Sequence, residues 1–104
     1  MSRKKIDKLC PLSRTLAVVG DSWTLIVLRD LMNGVTRFSE FASKEGISPT
    51  VLSARLKHLE EHGVIERHLY SERPPRAEYR LTDKGRALGP MLIAMRDWGR
   101  DFTS

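Results

Sequence analysis

A chain of 104 residues, 40% apolar and 30% charged, holds the material for one modest core. That composition excludes a collagen-like, disulfide-stapled or wholly disordered polymer, and the length leaves no room for a cleft between two domains. The net charge of +5 favours a polyanionic partner, and most of it lies in residues 1–14, where Arg3, Lys4, Lys5, Lys8 and Arg14 face only Asp7. A single cysteine, Cys10, rules out an intrachain disulfide and suits a reducing cytoplasm. The longest apolar run, Met91 to Met95, falls far short of a membrane span. No apolar signal segment follows Arg3-Lys4-Lys5, so a cytoplasmic protein with no membrane partner is expected.

In chain order, residues 1–9 read as a basic arm and residues 10–104 as one domain. Pro11 opens a helix whose apolar face is Leu12, Leu16 and Val19, and Gly20 stops it. Asp21 or Ser22 caps a second helix with the stripe Trp23, Ile26, Val27 and Leu31, ending at Asn33-Gly34. An extended Val35-Thr36-Arg37 leads to a brief helix anchored by Phe38 and Phe41, with Ser39 as candidate cap and Glu45-Gly46 as its end. Ser48-Pro49 is a strong start signal for a helix running to His62, with Leu52, Leu56 and Leu59 inward and Gly63 as a left-handed stop. The period then changes to two: Ile65–Tyr70 reads as one strand, and Ala77, Tyr79 and Leu81 mark a second. Between them Ser71–Arg76 reads as a stiff loop. Thr82 caps a last helix carrying Leu88, Met91, Leu92, Met95, Trp98 and Phe102, which Gly89-Pro90 kinks or splits. The expected fold is mainly α with a small β-hairpin wing (α+β): a winged helix-turn-helix.

On the 49–62 helix, 3.6 residues per turn places Thr50, Ser53, Ala54 and Lys57 opposite the leucines. Small side chains let a helix backbone approach base edges in a major groove about 12 Å wide, and the helix start offers its N–H groups to phosphate. Arg55 lies on the flank, suited to a phosphate or base-edge contact. Arg73 and Arg76 bracket Pro74-Pro75, whose rings order the loop's charges in advance for the backbone or the adjacent minor groove. Arg37 stands where it can hold a phosphate. An ordinary amphipathic helix, a solvated turn and a surface charge are the plain readings of the same residues.

Several segments, in order over nearly the whole chain, carry a family resemblance: Cys10-Pro11, Gly20-Asp21-Ser22-Trp23-Thr24-Leu25-Ile26, Arg37-Phe38-Ser39-Glu40-Phe41, the run Ile47 to Glu60, Arg73-Pro74-Pro75-Arg76-Ala77-Glu78-Tyr79, Leu81-Thr82-Asp83-Lys84-Gly85-Arg86 and Trp98-Gly99. The chain resembles the HxlR-type winged-helix transcription regulators, relatives of the MarR-like group. The resemblance implies a bacterial, cytoplasmic, homodimeric DNA-binding regulator, expected to act as a repressor. It implies dimerisation through the terminal helices and an operator, double-stranded DNA, read by the 49–62 helix with the 71–76 wing beside it. It places DNA contacts at Arg37, Ser48, Pro49, Thr50, Ser53, Arg55, Lys57, Arg73 and Arg76. The Asp21-Ser22 turn departs from the Gly-Lys pair that members of the family often carry there.

The last helix is more apolar than a terminal helix on a small domain requires, so Met91, Met95, Trp98 and Phe102, with Leu12 and Leu16 of the first helix, are the candidate dimer interface. They serve equally well to close the monomer's core. Cys10 precedes a helix start, where the dipole lowers a thiol's pKa. Relatives sense oxidants or electrophiles through a cysteine near the N-terminus, so the resemblance makes Cys10 a candidate sensor for an oxidant or small-molecule effector. Its plain alternative is a small packing residue. His58 and His62 share a helix face, but His-Leu-Glu-Glu-His does not fit the zinc-protease pattern, and no metal site is expected. No Gly-rich phosphate loop, no nucleophile elbow and no convincing carboxylate pair for a pocket can be read in the sequence, so neither an enzyme nor a cofactor is expected. A winged-helix protein-interaction module and a nonspecific architectural DNA binder are the alternatives to a specific regulator, and the small, polar outer face of the 49–62 helix argues against the first.

Overall fold

A computed structural model of the chain describes residues 10–104; the basic 1–9 arm lies outside them. Six helices and a hairpin follow in the order α1 (Pro11–Val19), α2 (Ser22–Met32), α3 (Phe38–Glu45), α4 (Pro49–Glu61), β1 (Ile65–Glu72), β2 (Pro75–Leu81), α5 (Asp83–Arg86) and α6 (Gly89–Phe102). This is the expected winged helix-turn-helix, mainly α with a two-stranded antiparallel wing.

α2 is the central helix, packed against α1, α4, β2 and α6. Asp21 caps it, its carboxylate accepting from the Thr24 amide at 3.1 Å. The buried face is Thr24, Val27, Leu28, Asp30 and Leu31, whereas Trp23 and Ile26, assigned inward by the helical period, are only half-buried. A helix covered from several sides has no single stripe, so Leu28 is fully buried outside the expected set. Asp30 is a buried carboxylate whose Oδ1 accepts from Lys44 Nζ at 3.1 Å and from Arg29. Arg29 also pairs with Glu45 at 2.7 Å, so charged links join α2 to the end of α3.

α3 begins two residues earlier than a Ser39 cap allows. Arg37 is the cap position, and the Glu40 carboxylate accepts its backbone N–H at 3.2 Å. α4 starts as the Ser48-Pro49 signal requires, with Ser48 Oγ accepting from the Val51 amide at 3.2 Å, and Gly63 beyond it has φ +71°. Leu52, Leu56 and Leu59 are fully buried in a core shared with Val27, Leu28, Phe41, Val64 and Ile65. Burial of each such side chain favours the folded state by about 1.5–3 kcal/mol, which pins α4 by one face only.

The hairpin is longer than its sequence suggested. The strands extend to Glu72 and from Pro75, so the expected six-residue loop is a two-residue tip, Arg73-Pro74. Pro75 pairs opposite Glu72 at the first position of β2, where a missing N–H is tolerated. The register shifts between Leu69 and Ser71, leaving Tyr70 as an unpaired bulge residue. Gly89-Pro90 splits the C-terminal segment into α5 and α6 as expected. No helix among the described residues is long and apolar enough to cross a membrane.

Candidate nucleic-acid interface

With its three leucines inward, α4 presents Pro49, Thr50, Ser53, Ala54 and Lys57 on the outside, all exposed. Together with Phe38 they line a shallow hollow of about 570 Å³. The largest group on that surface is the slender Lys57 chain, so the helix backbone lies close to whatever fills the hollow.

Arg55 does not line it. Its Nε donates to Asp21 Oδ2 at 2.7 Å, which ties the flank of α4 to the start of α2. Burial raises the pKa of the Asp21 carboxyl, but the Thr24 amide and the Arg55 guanidinium outweigh it and hold the net value below the ordinary carboxylate range. The sequence gives no hint of this pairing across 34 positions. Asp21 is thus a second-role residue that sequence reasoning identified only as a cap.

The wing stands beside α3. Its base is fastened there by the Tyr79 amide donating to the Thr36 carbonyl at 2.7 Å and by an isolated bridge between Arg37 and Glu78. The Arg37 guanidinium lies 4.8 Å from the centre of the Tyr70 ring. Arg37, Arg67, Tyr70 and Arg76 line a cleft of about 510 Å³ that shares Phe38 with the hollow on α4. Arg73, at the tip, lines neither. Arg67 and Tyr70 were missed from sequence; the only signal for Arg67 was its place on a strand face with Tyr79, and for Tyr70 there was none, because a bulge reassigns its face.

Positive charge is unevenly satisfied. Arg29, Arg55, Arg80, Arg86, Arg96 and Arg100 each pair with a carboxylate. Among the described residues, Arg37, Arg67, Arg73 and Arg76 have no ion pair, and neither has Lys57. These five border the α4 hollow, line the wing cleft or tip the wing, whereas Lys84 on α5, also without a carboxylate, donates to the His62 carbonyl.

Of the apolar interface residues, Leu12, Leu16, Met95, Trp98 and Phe102 are exposed, whereas Met91 is half-buried against the core. Ile93, absent from the sequence-based set, is 52% exposed. Trp98 and Phe102 stack with ring centres 5.6 Å apart. Cys10 is half-buried at the head of α1. The amide and hydroxyl of Ser13, with the Leu12 amide, favour its thiolate and draw its pKa below the ordinary thiol value, against a small opposing effect of burial. His58 Nε2 is within 2.9 Å of the Val18 carbonyl, a helix-to-helix contact, and no group of three or more metal-ligating side chains occurs among the described residues.

A groove-sized helix face with a tethered basic hairpin defines a winged helix-turn-helix DNA-binding protein. The family described as HxlR-like helix-turn-helix matches residues 18–104, and the chain belongs to it. The uncharacterized HTH-type transcriptional regulator YdeP of Bacillus subtilis (strain 168) is 40% identical over 94 residues, covering 89% of this chain and 73% of YdeP. The crystal structure of PA1607 superposes with a TM-score of 0.84 at 47% identity, covering 92% of this chain and 67% of that one. The redox regulator HypR in its oxidized form gives 0.82 at 35% identity, covering 91% and 99%. The chain is a DNA-binding transcription regulator of this family.

Proposed function

We propose that the protein is a cytoplasmic, sequence-specific repressor that binds its operator as a homodimer. α4 enters the major groove with Pro49, Thr50, Ser53 and Lys57 toward the bases, and Ser48 at its start faces phosphate. The wing lays Arg73 and Arg76 on the adjacent backbone or minor groove. The carrying observation is that Arg37, Arg67, Arg73, Arg76 and Lys57, none with a carboxylate partner among the described residues, gather on the α3 cap, the wing and the outer face of α4, since charges left without carboxylates on one surface favour a polyanion there. Arg55, oriented through Asp21, offers its remaining N–H groups to the edge of the same groove.

Exposed apolar groups on α1 and α6 are the surface a second copy would cover. A twofold dimer sets two recognition helices one helical turn apart, about 34 Å, and light scattering of the intact protein at micromolar concentration should return twice the mass of one chain. The test of DNA binding is a salt titration on a duplex selected from genomic fragments. Arg73→Ala should weaken binding to that duplex and to random sequence alike and flatten the log–log salt slope by about one. An unchanged slope would remove the wing from the interface.

The likeness to HypR and the lowered pKa of Cys10 favour a response to oxidants or electrophiles. With one thiol per chain, the oxidised product is a disulfide between subunits or with a small thiol. Diamide should change duplex affinity of the unmodified protein and not of Cys10→Ser; equal responses from both would exclude Cys10 as the sensor.

A further inference from the structure

We infer that the cleft between the start of α3 and the wing seats one phosphodiester of the DNA backbone, held by Arg67 together with Arg37 and Arg76. The inference rests on the duplex-binding reading above and adds to it a contact lying between the recognition helix and the wing tip.

Three guanidinium-bearing residues on three segments, the cap of α3, β1 and β2, border one cleft of about 510 Å³. Like charges gathered around one space repel, and among the described residues none of the three has a carboxylate partner. The nearby acids are committed elsewhere: Glu40 accepts the Arg37 backbone amide, and Glu78 pairs with Arg80 at 2.8 Å. Two other cation-bearing cavities differ. In the groove between α2 and α6, Arg29 and Arg96 are paired with Glu45 and Asp97. In the cavity beneath the outer face of the hairpin, Arg80 and Arg86 are paired, and Lys84 donates to the His62 carbonyl at 2.7 Å. An anion is the partner that the wing cleft lacks.

The site is also ordered in advance. Strict alternation along β1 would turn Tyr70 away from Arg67, but the bulge after Leu69 brings both to the cleft. The Tyr70 ring then lies 4.8 Å from the Arg37 guanidinium, an arrangement that fixes the guanidinium while leaving its N–H groups to bond. The bridge from Arg37 to Glu78 and the bond from Tyr79 to Thr36 hold α3 and the wing together. Phe38 borders both this cleft and the α4 hollow, so a strand running along the hollow continues into the cleft. That continuity favours a backbone phosphate over a free anion.

The test is fluorescence anisotropy of a labelled duplex, titrated with salt, for the unmodified protein, Arg67→Gln, Tyr70→Ala and Arg86→Gln. Arg67→Gln should lose about three- to tenfold in affinity on selected and random duplexes alike, with a salt slope shallower by about one. Tyr70→Ala should weaken binding with its slope intact, because it loosens Arg37 without removing a charge. Arg86→Gln, the same charge change outside the cleft, should keep both values. If Arg67→Gln binds with unchanged affinity and slope while the unmodified protein binds duplex, the cleft assignment is overturned and the parent reading stands. No duplex binding by the unmodified protein would overturn both. A third arm uses inorganic phosphate at constant ionic strength. If it raises the melting temperature of the unmodified protein but not of Arg67→Gln, and the variant's duplex affinity is intact, the cleft holds free phosphate and the DNA assignment fails.

Discussion

Ser53→Glu is expected to cut duplex affinity at least 100-fold at 0.1 M salt while leaving the melting temperature within about 2 °C. Ser53 lies midway along the exposed face of α4, in the hollow it shares with Thr50, Ala54 and Lys57. A helix docked in the major groove brings that position within a few ångströms of base edges, between two rows of phosphates. A longer side chain there holds the backbone away, and its carboxylate meets uncompensated negative charge. A hundredfold loss is about 2.8 kcal/mol, which the combined steric and electrostatic effects supply. The folded state has no such objection. The position is exposed, glutamate is a better helix former than serine, and the new carboxylate stands four residues before Lys57, a spacing that stabilises helices by a few tenths of a kcal/mol. That pairing would also divert Lys57 from DNA. Ser53→Ala, which removes only a hydroxyl, should cost less than tenfold. Binding by Ser53→Glu within fivefold of the unmodified protein, with circular dichroism unchanged, would take α4 out of the groove.

The parts of this interface that were legible in the sequence are those encoded locally. Ser48-Pro49, the leucine spacing and Gly63 fix the start, inward face and end of α4 with no reference to the rest of the chain. The outer face follows by exclusion. Long-range pairings were not legible. Arg55 reads as an open flank residue on a helical wheel, yet its Nε is bonded to Asp21 from another helix. Asp30 reads as one more polar residue of α2, yet it is buried because Lys44 and Arg29 reach it. The wing lay between these cases. Alternation announces two strands, but the polar, Pro-bearing run 71–76 reads as loop, whereas Pro75 opens β2, where a proline at a strand's first residue breaks no ladder bond. The bulge at Tyr70 leaves no mark in residue type, so the cleft it completes had to be seen in three dimensions.

The largest structural effect expected of a one-methyl change falls on Gly85. Its neighbourhood is a knot joining β1 to the C-terminal helices. Thr82 donates its amide to the Val64 carbonyl at 3.1 Å and its hydroxyl to the Gly63 carbonyl at 2.6 Å, and that hydroxyl accepts from the Gly85 amide at 3.1 Å. A Cβ on Gly85 would fall far inside the van der Waals limit of the Val64 carbonyl oxygen and 2.9 Å from Leu81 Cδ2. A carbonyl carried by buried Val64 cannot swing aside as a flexible side chain does, so α5 must lift away. Lifting it breaks the Thr82 bonds and loosens the Leu81 and Leu88 packing against the core. Gly85→Ala should therefore cost about 3 kcal/mol or more, and a domain of this size loses roughly 4–8 °C of melting temperature per kcal/mol. Gly63→Ala makes the contrast. There the φ of +71° penalises a side chain by about 1–2 kcal/mol, but the nearest atom to a new Cβ is Lys84 Cδ at 3.9 Å, which leaves room. Both glycines follow from backbone demands, yet only Gly63, standing just past a periodic helix, declares its reason in the sequence. Thermal unfolding of the two variants side by side decides the matter: Gly85→Ala should melt well below Gly63→Ala, and the reverse order would refute the close packing of α5 on Val64.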